Sequence, residues 1–254
     1  MQSISENTDC MVRLFCSVSL FLLPGFLLVS KVRTFPDTDL PVATEVKADA
    51  DSWLSLYEDL KLDSLVSRRA FRQAIAGFKK IENRKKDILT LIDFSKPSTE
   101  KRLFVIDMGR RKLLYASLVA HGRNSGEKYA TSFSNQNGSY KSSLGFYLTS
   151  ETYQGSNGYS LRLDGLEKGI NDKARERAIV MHGAAYANPA VIRSGRLGRS
   201  FGCPAIPQAL TRPIIDTIKG GSVLFIYAPQ QEYLAKSSIL DETDLFPAFS
   251  GIEI

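Results

Sequence analysis

The amino-acid sequence predicts a mostly β protein, a sandwich or barrel, preceded by a small helical pair, and therefore an α+β fold overall. After residue 86, apolar residues occur in short β-branched or aromatic runs separated by glycine, proline and asparagine, which is typical of antiparallel strands. Between residues 51 and 86, apolar residues recur at helical spacing instead. Strands do not alternate regularly with long helices, so the pattern does not favour a parallel, doubly wound sheet.

The first 33 residues have the pattern of a signal peptide or a membrane anchor. Residues 14–29 contain no charged side chain, and Arg13 precedes them. A segment of this length is marginal for spanning a bilayer and somewhat long for the apolar centre of a signal peptide. No clear cleavage site follows, so a cleaved signal and a retained membrane anchor both stay open. In either case we expect an exported protein of the periplasm or cell envelope.

Two further segments precede the predicted strands. Residues 34–50 are rich in proline, aspartate and threonine and predict a tether. A helical segment is expected at residues 51–86, where Asp51 can cap a first helix and Ser67 a second. The apolar residues of the second helix share one face: Phe71, Ala74, Ile75, Phe78 and Ile81.

The main domain is predicted at residues 87–228. Its strands are expected in short runs at residues 88–94, 103–108, 113–120, 146–149, 159–163, 178–181 and 223–227. A helix is expected at residues 213–219, because proline is favoured in the first turn of a helix and Gly220 and Gly221 follow the last turn. Residues 229–254 are predicted to form a peripheral tail.

The charge pattern suits an anionic partner. The formal net charge of +6 fits a cell-wall polymer and equally fits plain solubility. The basic residues are not interleaved with aromatic residues, so no nucleic-acid partner is expected. The glycines near Lys128 lack the spacing of a phosphate loop, and two distant histidines with one usable cysteine do not build a closed zinc site. We expect neither a metal nor a cofactor.

Cys203 is the only cysteine outside the predicted export segment, because Cys10 and Cys16 lie in or beside that segment. A lone thiol in an exported protein is a buried core residue, an intermolecular link or a nucleophile. The glycines around Cys203 and the availability of His182, earlier in the chain, favour the nucleophile.

His182 is the candidate base for Cys203, because a thiol attacks a carbonyl only as the thiolate. It ends an apolar strand, and the small residue that follows, Gly183, leaves room for a substrate. Pro204 has no N–H, so the backbone donors of an oxyanion pocket are expected from Gly202, Cys203 or earlier residues.

The second histidine, His121, lies in a glycine-containing loop after a predicted strand. It could line the substrate groove or fix the loop through hydrogen bonds, and the sequence leaves both alternatives open. Tyr140, Ser142 and Ser143 are weaker candidates for the groove.

Several segments taken together resemble the L,D-transpeptidase catalytic domain, the YkuD-like family. His182-Gly183 followed by Ser200-Phe201-Gly202-Cys203 is similar to the family signature of His-Gly, a gap and Ser-His-Gly-Cys. Residues 195–205 (GRLGRSFGCPA) more closely resemble a branch that reads Gly-Arg-Ser-Trp-Gly-Cys-Pro-Ala. Residues 119–126 and 142–147 suggest the same branch, and the resemblance covers about residues 85–228.

The resemblance implies a mostly β fold with the cysteine in a groove, and it implies roles for the candidate residues. Cys203 would be the nucleophile and His182 the base, while Ser200 and Gly202 would shape the acyl site. The thiolate would attack the bond after an L-centre of a peptidoglycan stem peptide and release the last D-residue. An amine of another stem, or water, would then resolve the thioester.

Two positions depart from the family pattern. Phe201 replaces the usual histidine, and Ala205 replaces an arginine that in relatives supports the site or the substrate carboxylate. Arg199, Arg196 or Arg123 could supply that charge. Three functions stay open: a cell-wall acyltransferase, an L,D-carboxypeptidase with water as the acceptor, and a non-catalytic wall-binding module.

Overall fold

A computed structural model of the protein describes residues 53–241 and residue 244. The predicted signal peptide or anchor at residues 1–33, the predicted tether at residues 34–50 and most of the end of the predicted tail lie outside the described residues. Within the described part of the chain, no helix has the length and apolar character needed to cross a bilayer.

The helices and strands of the described residues follow one another along the chain in a simple order. Helix α1 covers residues 53–59, and the later helices are α2 (Arg68–Lys80), α3 (Thr211–Ile218) and α4 (Gln231–Lys236). The strands are β1 (Ile88–Asp93), β2 (Leu103–Asp107), β3 (Lys112–Ser117), β4 (Gly145–Gly155), β5 (Gly158–Gly165), β6 (Val180–Gly183), β7 (Ala205–Ile206) and β8 (Val223–Tyr227). Short 3-10 helices lie at Arg123–Ser125, Ala185–Ala187, Pro189–Ser194 and Gln208–Leu210.

The eight strands form one sheet in the order β3-β2-β1-β8-β4-β5-β6-β7. Most neighbouring strands are antiparallel, whereas β1 with β8 and β6 with β7 are parallel. Beyond the end of β3, Ala120 bridges Ala205 of β7, so the two edges of the sheet approach each other and the sheet is nearly closed. The prediction of a mostly β fold is therefore confirmed.

Helix α2 packs against β1 and β8 through its apolar face. Ser67 caps the helix, because its hydroxyl oxygen accepts a hydrogen bond from the Ala70 N–H at 3.3 Å. Gly77 allows the helix to approach the sheet closely, since a Cβ at this position would lie 2.0 Å from Cζ of Phe146. The helical segment and the sheet therefore share one hydrophobic core.

Some elements differ from their predicted ranges for local reasons. Strand β6 begins at Val180 rather than at residue 178, because Ala178 has a φ of 53° that is incompatible with a strand. Strand β4 continues to Gly155, well beyond residue 149, because its polar second half pairs with β5. Helix α4, in the predicted tail, packs on the domain through the buried side chain of Tyr233.

Candidate active site

Cys203 lies in the turn that leads into β7, and its side chain is half-buried. The sulfur accepts a hydrogen bond from the Val180 N–H at 3.5 Å and lies 3.6 Å from the carbonyl oxygen of Ala178. The preceding residue, Gly202, has a φ of 125°, and a Cβ there would lie 2.8 Å from the carbonyl oxygen of Lys141. Glycine is therefore required at position 202 both for the turn and for the close approach of the neighbouring loop.

Ser200 holds the turn at residues 200–204, which we call the cysteine turn, in place. Its hydroxyl donates to the carbonyl oxygen of Cys203 at 2.6 Å and accepts from the Gly202 N–H at 3.1 Å. The Gly202 N–H is therefore already bound, whereas the Cys203 N–H makes no hydrogen bond to another residue in the described part of the chain. Of the two oxyanion donors that the sequence analysis names, Gly202 and Cys203, the Cys203 N–H is the one left available.

His182 lies on β6, directly beside the strand that follows Cys203. It pairs with Ala205 across the parallel β6–β7 ladder, and continuing this register places Cys203 opposite Val180. His182 and Cys203 are thus diagonal neighbours in the ladder. No hydrogen bond joins their side chains among the described residues.

The imidazole of His182 is buried, with 3% of its surface exposed. Its Nδ1 lies 3.0 Å from the carbonyl oxygen of Gly183. Because a carbonyl oxygen can only accept, this contact assigns the proton to Nδ1 and leaves a lone pair on Nε2. Burial lowers the pKa of His182, although the Gly183 carbonyl opposes this. A neutral imidazole with a free Nε2 is the form that can accept a proton.

Gly183 packs closely against the start of α3. A Cβ at this position would lie 2.1 Å from Oγ1 of Thr211, the first residue of α3. Gly183 also lines a pocket together with Gln208 and Arg212, so its place beside a substrate stays a prediction.

His121 is almost fully buried, with 1% of its surface exposed. Its Nδ1 lies 2.8 Å from Nη2 of Arg102, and its Nε2 lies 3.2 Å from the carbonyl oxygen of Gly126. A guanidinium can only donate, so Nδ1 accepts and Nε2 donates. Burial and the charge of Arg102 lower the pKa of His121 to about 4. These contacts favour the alternative in which His121 fixes its loop.

The three arginines suggested by the sequence are held by groups other than the thiol. Arg199 and Arg196 both pair with Glu127, at 2.6 Å and 2.8 Å. The guanidinium of Arg123 lies over the rings of Tyr140 and Phe201, 4.5 Å and 5.0 Å from their centroids. Arg199 also donates to the carbonyl oxygens of Arg123 and Gly126, so it ties the loop before Cys203 to the loop that contains Arg123.

The cation beside the thiol is Arg177, which the sequence analysis did not select. Its Nη2 would lie 3.5 Å from a Cβ placed on Gly202. Burial raises the pKa of the Cys203 thiol, while the Val180 N–H and the positive charge of Arg177 oppose this increase. Arg177 belongs to a run of charged residues (KARER), a pattern that is usually solvated, so the sequence offered no signal for it.

Residues 134–143, which we call the clamp loop, close over the cysteine turn. Ser142 accepts a hydrogen bond from the Gly122 N–H at 3.0 Å and donates to the carbonyl oxygen of Gly202 at 3.1 Å. The rings of Tyr140 and Phe201 lie 4.9 Å apart, and Phe201 is 64% exposed. The clamp loop thus leaves an exposed aromatic pair next to the half-buried sulfur.

Three comparisons place this chain among known proteins. A sequence model of the L,D-transpeptidase catalytic domain family matches residues 62–227. No curated protein matches the chain.

Three solved structures that are similar to this chain are distant from it in sequence. An L,D-transpeptidase from Mycobacterium smegmatis is 11% identical, with a TM-score of 0.35 over 56% of this chain and 59% of its own. The helical cell shape determining protein Pgp2 from Campylobacter jejuni is 13% identical, with a TM-score of 0.39 over 65% and 58%. An L,D-transpeptidase from Stackebrandtia nassauensis is 12% identical, with a TM-score of 0.34 over 73% and 80%.

The matched part of the chain spans 59% of the mycobacterial structure. The family match, by contrast, begins before β1 and ends with β8, so it includes the whole sheet together with α2 and the cysteine turn. By this match over most of its length, the chain belongs to the L,D-transpeptidase catalytic domain family.

Proposed function

We propose that the protein is an exported cell-wall cysteine acyltransferase that acts on peptidoglycan stem peptides through a thioester on Cys203. The observation that carries the proposal is the position of the sulfur against β6. The Val180 N–H contacts the sulfur, and His182, two residues further along the same strand, keeps Nε2 free to accept a proton. A family domain that presents a thiol beside a neutral imidazole supports nucleophilic catalysis.

The first half of the reaction forms the thioester. Nε2 of His182 takes the proton of the Cys203 thiol, and the thiolate attacks the carbonyl carbon that follows the L-centre of the stem peptide. The carbonyl oxygen becomes an oxyanion that the Cys203 N–H can stabilise. The C–N bond then breaks, and the imidazolium returns its proton to the amine of the departing D-residue.

The second half of the reaction transfers the acyl group. The amine of another stem attacks the thioester, its proton passes to His182, and the C–S bond breaks. His182 and Cys203 must approach within hydrogen-bond distance for both halves, and such contacts are often longer before substrate binds. Water in place of the amine would make the protein an L,D-carboxypeptidase, so the products distinguish the two.

Export to the periplasm or cell envelope is part of this proposal. It rests on residues 1–33, for which a cleaved signal peptide and a retained membrane anchor both stay open. The substrate class agrees with the net charge of +6, because peptidoglycan stems and other wall polymers carry carboxylates or phosphates. No metal or cofactor enters the reaction as written.

Intact-mass spectrometry of the pure protein with a disaccharide-tetrapeptide tests the proposal. We expect a covalent adduct of the tripeptide moiety on the wild type and none on Cys203→Ala. A cross-linked dimer among the products supports the acyltransferase, and released tripeptide supports the carboxypeptidase. A carbapenem provides a second probe, because its strained carbonyl should acylate Cys203. Absence of both adducts in folded wild-type protein would refute the enzymatic proposal and leave the wall-binding module.

A further inference from the structure

Arg177 is tied to the clamp loop by neutral acceptors alone. Its Nη1 donates to the carbonyl oxygen of Ser134 at 2.8 Å and to Oγ of Ser143 at 2.5 Å. Its Nη2 donates to the carbonyl oxygen of Lys141 at 2.7 Å and to Oγ of Ser139 at 3.3 Å. These four hydrogen bonds engage both terminal nitrogens of the guanidinium, and none of the acceptors carries a negative charge.

The ionisable groups on which the charge of Arg177 acts are Tyr147 and Cys203. Tyr147 is fully buried, and burial raises the pKa of its hydroxyl far above the normal value, so it stays neutral. Cys203, whose thiol has the lower ordinary pKa of the two, is then the group of this pair that can become an anion. A partly buried cation without a carboxylate partner is costly unless a neighbouring group can take the negative charge.

The other groups that face the sulfur do not supply a positive charge. From β6 they are the Val180 N–H and His182, whose pKa is lowered by burial. From the 3-10 helix after β6, Tyr186 has its pKa raised to about 12 by burial and by Cys203. From the clamp loop, the ammonium group of Lys141 is directed to Oγ of Ser132 at 2.7 Å.

We propose that Arg177 is a positioning residue for the Cys203 thiolate, which favours the anionic sulfur by its charge and holds the clamp loop against Gly202 by its hydrogen bonds. The inference deepens the proposed function, since it takes Cys203 as the nucleophile. It also assigns the electrostatic support of the thiol to a residue outside the cysteine turn, in the segment that enters β6.

Alkylation of Cys203 by iodoacetamide tests this inference without any cell-wall substrate. The thiolate displaces iodide, so the rate follows the thiolate fraction. Because burial raises the pKa of the thiol, the rate is measured between about pH 6 and 11, from the mass of the peptide that contains Cys203. In Arg177→Gln we expect the midpoint of the pH–rate curve to rise by about one unit, which corresponds to a roughly tenfold slower reaction at pH 7. In Arg177→Lys the charge stays, so the midpoint should stay close to that of the wild type.

Two controls separate charge from structure. Arg175→Gln makes the same change of net charge two residues earlier, where the side chain pairs with Glu151 and Asp164, and should leave the midpoint unchanged. Ser143→Ala removes one acceptor of Arg177 while keeping the charge, and should also leave it unchanged. A wild-type midpoint in folded Arg177→Gln, or an equal rise in the Gln and Lys variants, overturns the proposal.

Loss of folding in Arg177→Gln would not leave the question open. Arg177→Met, which has no unsatisfied donor, is then the neutral variant. A rise of about one unit in Arg177→Met together with a wild-type midpoint in Arg177→Lys supports the role of charge, whereas equal midpoints in the two variants refute it. Because the assay contains no stem peptide, a protein that fails to process peptidoglycan can still show these shifts, so the two proposals fail separately.

Discussion

The backbone N–H of Val180 lies 3.5 Å from the sulfur of Cys203. This contact joins the cysteine turn to β6, the strand that also carries His182. Two elements separated by the arginine-rich loop at residues 194–202 are therefore brought together by the β6–β7 ladder rather than by a direct bond between the two side chains. The relationship explains how a two-residue strand can fix the position of Cys203 relative to His182.

Replacement of His182 by alanine should uncouple turnover from thiol reactivity. Without a base, turnover of a stem peptide should fall by about 10²- to 10⁴-fold, which is the usual contribution of general acid–base catalysis. Alkylation of Cys203 well above the thiol pKa should persist, because hydroxide then forms the thiolate. Chromatography of the products and mass spectrometry of the alkylated peptide measure the two effects. Turnover retained at the wild-type level would remove His182 from the mechanism.

Gly202→Ala should destabilise the cysteine turn. Its φ of 125° is strained for alanine, and the new Cβ would lie 2.8 Å from the Lys141 carbonyl oxygen and 2.9 Å from Cδ1 of Ile179. We expect a loss of about 1–3 kcal/mol in the free energy of unfolding, measured by urea denaturation.

Gly138→Ala is the matched control for this substitution. Gly138 also has a positive φ, 70°, but nothing lies within 4 Å of its Cβ position. The Gly138→Ala substitution should lower the free energy of unfolding by about 1 kcal/mol, which is the cost of placing alanine at a positive φ. Equal losses in the two variants would mean that the close approach of the clamp loop does not constrain the turn.

Gly77→Ala should weaken the packing of α2 on the sheet, although alanine is the better helix former. The helix propensity favours alanine by about 1 kcal/mol. The new Cβ would lie 2.0 Å from the ring of Phe146, which is fully buried and stacked on Phe225 at 4.1 Å, so the ring cannot move aside. The overpacking should cost about 1–3 kcal/mol, which exceeds the gain in helix propensity, so the midpoint of thermal unfolding should fall.

A double-mutant cycle checks the cause of this loss. Phe146→Leu shortens the side chain below Gly77, so Gly77→Ala should cost less in that background than in the wild type. Strictly additive effects would show that the two residues do not constrain each other. The cycle also reports on α2 as part of the domain core, since the ring belongs to β4.

Most strands of the sheet could be predicted from the sequence, because short β-branched and aromatic runs bounded by turn residues are typical of antiparallel strands. The Ser67 cap and the apolar face of α2 were equally readable. The two-residue strand β7 was not, because such a short strand has no periodicity. Its register comes from tertiary contacts with β6 and with Ala120.

In the candidate site, too, some residues could be selected from the sequence and others could not. Cys203 and His182 could be selected from the sequence because the chain contains only three cysteines and two histidines, and these residue types can act as nucleophile and base. The sequence could not show which arginine lies beside the thiol, because the position of an arginine side chain depends on the carbonyl and carboxylate oxygens that surround it in the fold. Glu127 holds Arg196 and Arg199, whereas the clamp loop holds Arg177 beside Gly202.

Acid should destabilise the protein through His121. Burial and the charge of Arg102 lower the pKa of His121 from its ordinary value of 6.5 to about 4 in the folded state. Between these two values the unfolded chain binds a proton that the folded chain does not, so stability is fully present above pH 6.5 and is lost as the pH falls toward 4. The shift corresponds to about 3 kcal/mol, and below pH 4 the loss should level off. Urea denaturation across this range measures the slope, and His121→Gln, which has no titratable group, should flatten it. An unchanged slope in the folded glutamine variant would assign the acid sensitivity to His182, whose pKa is also lowered, or to other groups.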